Sequence, residues 1–353
     1  IKDSAVVIPA NGKYLIPGLI DTHIHINVTG SHQAQRELLE SMLRKGITTV
    51  QDLVGDAREL AHLSREIKQD RLFGPDLYYA AMFTTKRFLE KDFRMSFFPD
   101  GSQGQLPFLQ AVDDQTDFKV AIARAHGTGA NVVKLYANLS NHAIRNLTRE
   151  AHSMNMRVWS HGAIFPLTAS ELASMDIDVF CHASHLAYNK KNVPQEYHDW
   201  YPVLYNDPEH YKILKEELDI ESLLQQMSEK NILLDATLIA FSNSSDERVT
   251  LGAEIVSQAQ RAGVKVTTGT DIKGFPTYEE LYLLVDHAAF TPKQALIASS
   301  KNGAEAIGIL RTHGTIEEGK VANLVLLNAS PLQNIRNIEK VDLIIKNGKI
   351  FNP

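Results

Sequence analysis

Eight short apolar runs, rich in β-branched and aromatic residues, recur along the chain with amphipathic stretches between them. They cover residues 15–25, 46–53, 77–82, 131–136, 156–161, 177–182, 232–235 and 264–271. Residues 33–44, 117–129 and 221–230 carry the helical spacing of apolar side chains. Strand followed by helix, repeated eight times, predicts an α/β protein built on a (β/α)8 TIM barrel. The competing architecture, an open doubly wound sheet, usually carries a glycine-rich phosphate turn after its first strand. Here that place holds His23-Ile24-His25, which favours the barrel.

The two ends differ from the middle. From Gly314 onward, short strand-like runs alternate with Asn-Gly and Ser-Pro turn signals, and the first dozen residues look alike. Residues 1–15 and 313–353 are therefore expected to form a small β-sandwich domain beside a metal-dependent barrel of residues 16–312. Two connections, 83–109 and 185–219, are longer than the few residues usual between strand and helix. In a barrel both fall at the C-terminal mouth, where active sites are built.

Composition narrows the function. The chain has 353 residues, 44% hydrophobic and 22% charged, with 36 basic against 42 acidic side chains and a net charge of −6. No long basic run is present, so nucleic acid and anionic membrane are not expected as main partners; a small-molecule substrate is. No apolar stretch reaches the roughly 18 residues of a membrane-spanning helix. Cys181 is the single cysteine, which rules out an internal disulfide and leaves the compartment open, the cytoplasm being slightly favoured. Because the first residue is Ile1 rather than methionine, the chain is expected to begin inside a longer product, and any signal peptide would precede it. A homo-oligomer is compatible with the small β-domain acting as an interface.

The polar residues that close the apolar runs carry the chemistry. His23 and His25 end the first run and share a strand face, since side chains alternate. Lys134 lies in the fourth run, His161 ends the fifth, His182 the sixth and Asp271 the eighth. In a barrel, all six point to one mouth. Imidazole nitrogen and carboxylate oxygen suit zinc and related divalent ions. His62, His126, His142, His152 and His287 fall in helical stretches and read as surface residues.

Several segments resemble the amidohydrolase superfamily. Pro17-Gly18-Leu19-Ile20-Asp21-Thr22-His23-Ile24-His25 is similar to its opening signature, and Thr268-Gly269-Thr270-Asp271 to that of its eighth strand. The stretches Thr291-Pro292-Lys293-Gln294-Ala295-Leu296, Asn302-Gly303-Ala304 and 314–324 extend the likeness. It runs from about residue 5 to the C-terminus. The nearest branch holds imidazolonepropionase-like proteins and zinc-dependent Xaa-Pro dipeptidases.

That resemblance implies two divalent metal ions, with zinc the default, and a CO2-derived carbamate on Lys134 bridging them. His23, His25 and Asp271 would hold the first ion, and His161 and His182 the second. Two such ions, about 3.5–4 Å apart, would lower the pKa of a shared water toward neutrality. Asp271 is expected to act as general base, then acid, in cleaving an amide bond of a dipeptide or N-acyl amino acid. The alternatives are a mononuclear deaminase or cyclic-amide hydrolase of the same superfamily, and a non-catalytic structural homologue.

Two departures stand out. Cys181-His182 replaces the Glu-His that relatives often carry after the sixth strand, and Thr84-Thr85-Lys86-Arg87 stands where some dipeptidases have Gly-Gly-His-Gly. For substrate contacts the expectations are Tyr136, which shares a strand face with Lys134, His185, which also competes with His182 as a ligand, and Arg87, with Lys86 and Arg94, for a carboxylate. Tyr188, Tyr197, Trp200, Tyr201, Tyr205 and Tyr211 are candidates for an aromatic lid.

Overall fold

The structure is a computed structural model that describes residues 7–26, 30–91, 104–189, 208–242, 246–271 and 276–353. After β1 (Tyr14–Pro17), the first half runs β2 (Leu19–Ile24), α1 (His32–Arg44), β3 (Ile47–Asp52), α2 (Ala57–Lys68) and β4 (Asp76–Thr84). It continues with α3 (Lys86–Lys91), the short pair β5 (Gln105–Leu106) and β6 (Leu109–Ala111), α4 (Phe118–Gly127), β7 (Val132–Leu135) and α5 (Asn141–Ser153). The second half holds β8 (Arg157–His161), α6 (Ala169–Ala173), β9 (Val179–Cys181), α7 (Pro208–Glu216), α8 (Glu221–Glu229), β10 (Leu233–Asp235), α9 (Asp246–Arg261) and β11 (Val266–Thr267). Helices α10 (Thr277–His287), α11 (Pro292–Ile297) and α12 (Gly303–Ile307) precede β12 (Leu324–Leu327), β13 (Val341–Lys346) and β14 (Lys349–Phe351).

Strands β2, β3, β4, β7, β8, β9, β10 and β11 pair in parallel, each with the next. No strand order reverses along this path, as a doubly wound sheet would require. The remaining seam is bridged by the backbone: Thr22 N–H donates to Thr268 O at 2.9 Å, and Asp271 N–H to His23 O at 2.7 Å. The architecture is a nearly closed eight-stranded barrel wrapped by helices.

Local sequence explains the wrapping. Helix α5 is capped by Ser140, whose hydroxyl accepts the Ala143 N–H, and it buries Ala143, Ile144, Leu147, Thr148 and Ala151 along one stripe. Thr168 with Glu171 and Thr291 with Gln294 form reciprocal capping boxes at α6 and α11. Ala80, Val132, Trp159, Val179, Cys181 and Leu233 meet as one buried cluster contributed by successive barrel strands. The barrel is thus a packed core rather than a pore.

Both chain ends contribute to a second layer, a four-stranded antiparallel sheet in the order β1-β12-β13-β14. Asp76, at the start of β4, ties this layer to the barrel. Its Oδ1 accepts from Lys346 Nζ at 2.6 Å, while Oδ2 accepts from Asn323 Nδ2 at 2.9 Å and lies 3.4 Å from His313 Nε2. Burial would raise the Asp76 pKa, but these partners outweigh it and bring it down to about 2. Among the described residues, no helix is long and apolar enough to cross a membrane.

The two long connections carry structure of their own. β4 extends to Thr84 and leads into α3; a 3-10 turn at Ala183–Tyr188 follows β9, and α7 closes that second connection. Of the proposed lid, Tyr188 and Tyr211 are buried, whereas Tyr197, Trp200, Tyr201 and Tyr205 lie outside the described residues, as does Arg94.

Candidate metal centre

The six strand-end residues converge at the C-terminal mouth. Asp271 binds the histidine pair through Oδ1, 2.6 Å from His25 Nε2 and 3.2 Å from His23 Nε2. Its Oδ2 lies 3.7 Å from His182 Nδ1. Ligand atoms of His23, His182 and Asp271 fall within 4.8 Å of one another, and so do those of His161, His182 and His185. His182 joins the two groups, with ring centroids 5.1 Å from His23 and 4.8 Å from His161. The five helical histidines are exposed.

Electrostatics divide the centre. Burial holds His161, His182 and His185 well below the ordinary imidazole pKa, and the neighbouring Lys134 charge acts in the same direction. Neutral imidazoles offer the lone pairs that a metal needs. His23 behaves oppositely: burial alone would depress it, yet the carboxylates of Asp271 and Asp235 raise it well above 6.5. Asp271 is the counterpart, since burial pushes its pKa up but His23 and His25 hold it well below the carboxylate range. Three neutral nitrogens facing an anion-rich histidine pair form a donor set suited to first-row divalent ions.

Lys134 is fully buried, with Nζ 2.6 Å from the Cys181 sulfur. Cys181 therefore meets the lysine expected to carry the carbamate. Tyr136 packs on His161 with centroids 4.0 Å apart, which puts it beside the cluster. His185, expected as a substrate contact, lies among the candidate ligands, with its ring 4.8 Å from His182 and 5.3 Å from His161; its Nε2 is 3.2 Å from Arg248 Nη2. Arg87 lines a cavity of about 700 Å3 with Lys86, Asp113, Asp114 and Asn138, and none of the six strand-end residues borders that cavity.

Other residues of the site carry no prior assignment. Asp235 ends β10 and its Oδ2 lies 2.7 Å from His23 Nδ1. Thr237 Oγ1 lies 2.8 Å from His182 Nδ1. Asp21, wholly buried, accepts from Thr270 Oγ1 at 3.0 Å and Thr277 Oγ1 at 2.9 Å, fastening β2 to the loop that carries Asp271. Arg248 is buried on α9, with its guanidinium carbon 3.3 Å from the Phe241 ring centroid. Asp235 carries the same signal as Asp271, a carboxylate closing an apolar run. Arg248 lies inside a helix and has no such signal.

Backbone conformation aims these side chains. His182, Thr237 and Asp271 follow three successive barrel strands and all adopt left-handed backbone, with φ of 66°, 48° and 51°. Non-glycine residues seldom do so, and such strain concentrates at functional sites. Gly269 meets a different demand: a Cβ there would lie 2.3 Å from His23 Cβ and 2.6 Å from Asp235 Oδ1. Only glycine lets the chain after β11 pass this close to His23.

Comparison with known proteins agrees with this fold. The model of the family described as "Amidohydrolase family" matches residues 14–351. Imidazolonepropionase of Geobacillus thermodenitrificans is 25% identical over 382 aligned positions, covering 98% of this chain and 82% of that protein. Ochratoxinase of Aspergillus niger is 33% identical over 98 positions, covering 26% of this chain and 20% of that protein; its crystal structure superposes with a TM-score of 0.71 at 20% identity, over 96% and 83% of the two chains. A Xaa-Pro dipeptidase crystallised with methionine in its active site superposes with a TM-score of 0.75 at 17% identity, covering 100% of this chain and 90% of that one. The chain belongs to the amidohydrolase family.

Proposed function

We propose that the chain is a binuclear metal-dependent hydrolase that cleaves the amide bond of a dipeptide or N-acyl amino acid. One observation carries this: His23, His25 and Asp271 meet His161 and His182 around the buried Lys134 at the barrel mouth. His23, His25 and Asp271 would hold one ion and His161 and His182 the other, with zinc the default. The Lys134 ammonium, on losing one proton, adding CO2 through the freed Nζ lone pair and releasing a second proton, would become an anionic carbamate whose oxygens suit divalent ions. When bound, the ions supply ionised water at neutral pH and polarise a carbonyl.

The chain's own residues do the rest. Asp271 accepts the proton of the attacking water on the oxygen not engaged by His25, then delivers it to the leaving nitrogen, as base and then acid. Asp235 holds His23 through Nδ1, which leaves Nε2 directed at the centre. Thr237 does the same for His182 through its Nδ1. Tyr136, its ring tilted against that of His161, is the best-placed group to contact the substrate beside the ions. Arg87 lines a cavity that none of these residues borders, so a role in binding a substrate carboxylate has no support from the site.

The imidazolonepropionase relationship, which spans nearly the whole chain, supports a second reading as a cyclic-amide hydrolase. A panel of dipeptides, N-acyl amino acids and cyclic amides, assayed with metal-loaded enzyme, separates the two. Turnover of linear amides, lost in Asp271→Asn, is expected. Turnover of cyclic amides alone moves the assignment to the second reading, and no turnover of either class removes both.

A further inference from the structure

We propose a separate divalent-cation site on the outer face of the barrel, formed by His32 at the start of α1 and by His62 and Glu66 on α2. None of these residues belongs to the mouth, and nothing in the proposed hydrolysis uses them. His62 and Glu66 lie one helical turn apart and face the same side, with Nε2 3.8 Å from Oε1. His32 reaches the same point from the neighbouring helix, its ring centroid 5.4 Å from that of His62. One donor atom from each of the three falls within 4.8 Å of the others.

What distinguishes this group from an ordinary helical ion pair is the way Glu66 is fixed. Arg36, one turn along α1 from His32, binds Glu66 Oε2 and also donates to Arg71 O at 3.1 Å. The carboxylate is thereby anchored through one oxygen, and Oε1 is left facing His62. The backbone at His32 is fixed too, because Ser31 caps α1 by accepting the Ala34 N–H. Both histidines are exposed, so their rings can turn the short distance that closes a tetrahedron, and water can complete it. Two imidazole nitrogens and one carboxylate oxygen select zinc, copper(II), nickel or cobalt over calcium or magnesium. An ion here would clamp α1 to α2, the first two helices of the barrel wall.

The test is calorimetric titration of Zn2+ into tag-free protein whose mouth site is already metal-replete, with Cu2+ and electron paramagnetic resonance as a second readout. Wild type should take up one further equivalent, and the copper spectrum should show two coordinated nitrogens. His62→Ala and His32→Ala should each weaken that uptake by at least an order of magnitude and leave one nitrogen, with hydrolytic activity unchanged. Glu66→Gln should weaken it while keeping both nitrogens. Absence of the further equivalent in wild type, or its persistence in both histidine variants, overturns the proposal. Because His32, His62 and Glu66 share no donor with the mouth, the difference between wild type and these variants reads the outer site alone.

Discussion

Asp235 Oδ2 lies 2.7 Å from His23 Nδ1, and both side chains are buried. That contact fixes the tautomer and the ring plane of the first histidine of the His-x-His pair. Replacing Asp235 by Asn should lower metal affinity by roughly 10–100-fold while the fold survives. Equilibrium dialysis against a chelator series, with circular dichroism as control, checks this. Unchanged affinity would remove the orienting role.

Asp271 is assigned both proton steps. Asp271→Asn keeps the size and one oxygen donor but cannot hold a proton between water and leaving group. The expected loss in kcat is about 10^2–10^4-fold, the range for removal of a general base, with metal content largely retained. Parallel kinetics and elemental analysis of the same preparation decide it.

Lys134→Ala should lose metal and activity together, because the bridge disappears with the side chain. Small carboxylic acids fit the space left by the truncated side chain and carry the same pair of oxygens. Partial recovery of both quantities with added formate or acetate is expected. If acids rescue nothing and the variant still binds two ions, the carbamate has no part in the centre.

The barrel's other end yields a stability prediction. Asp76 has its pKa lowered from 3.8 to about 2, so the unfolded chain binds more protons than the folded one between those values. The stabilisation is fully present above about pH 4 and is lost as pH falls through 2, with a magnitude of about 2 kcal/mol. Asp76→Asn would also leave Lys346 buried without its counter-ion, at a cost of about 3–5 kcal/mol near neutrality. Replacing Lys346 by Met in the same background should recover part of that. Denaturant melts at pH 7 and pH 3 measure both effects.

Much of this was legible in the sequence because several apolar runs stop abruptly at a polar residue, as at His25, His161, His182 and Asp271. The helical spacing of 33–44 and 221–230 anticipates α1 (His32–Arg44) and α8 (Glu221–Glu229) almost to the residue. The third run, 77–82, falls inside a longer strand, Asp76–Thr84, because Asp76 and Thr84 are polar yet satisfied by Lys346 and by Ala137 O.

What escaped depends on contacts far apart in sequence. Asp235 looks like a ligand by its position, and its 2.7 Å contact with His23 Nδ1 has no signal in the sequence. His185 was hard to assign because alternation stops at His182, whose left-handed backbone turns the chain into a 3-10 segment. That turn carries His185 back against His161 and His182. Glu280 shows the same limit: it accepts the Leu238 and Ile239 N–H groups at 2.8 and 2.7 Å and so holds the loop after β10, and its burial pushes its pKa up to about 8. Nothing in the pattern of α10 marks it.

Metal stoichiometry tests the central claim most directly. Protein prepared with zinc and bicarbonate, stripped of loosely bound ions and analysed by mass spectrometry of the metal, should retain two equivalents at the mouth. It should also show a carbamate carbon when supplied with 13CO2. In His161→Ala combined with His182→Ala, one of those equivalents should disappear. A single retained ion with no carbamate signal would contradict the binuclear centre and leave the one-metal alternative in its place.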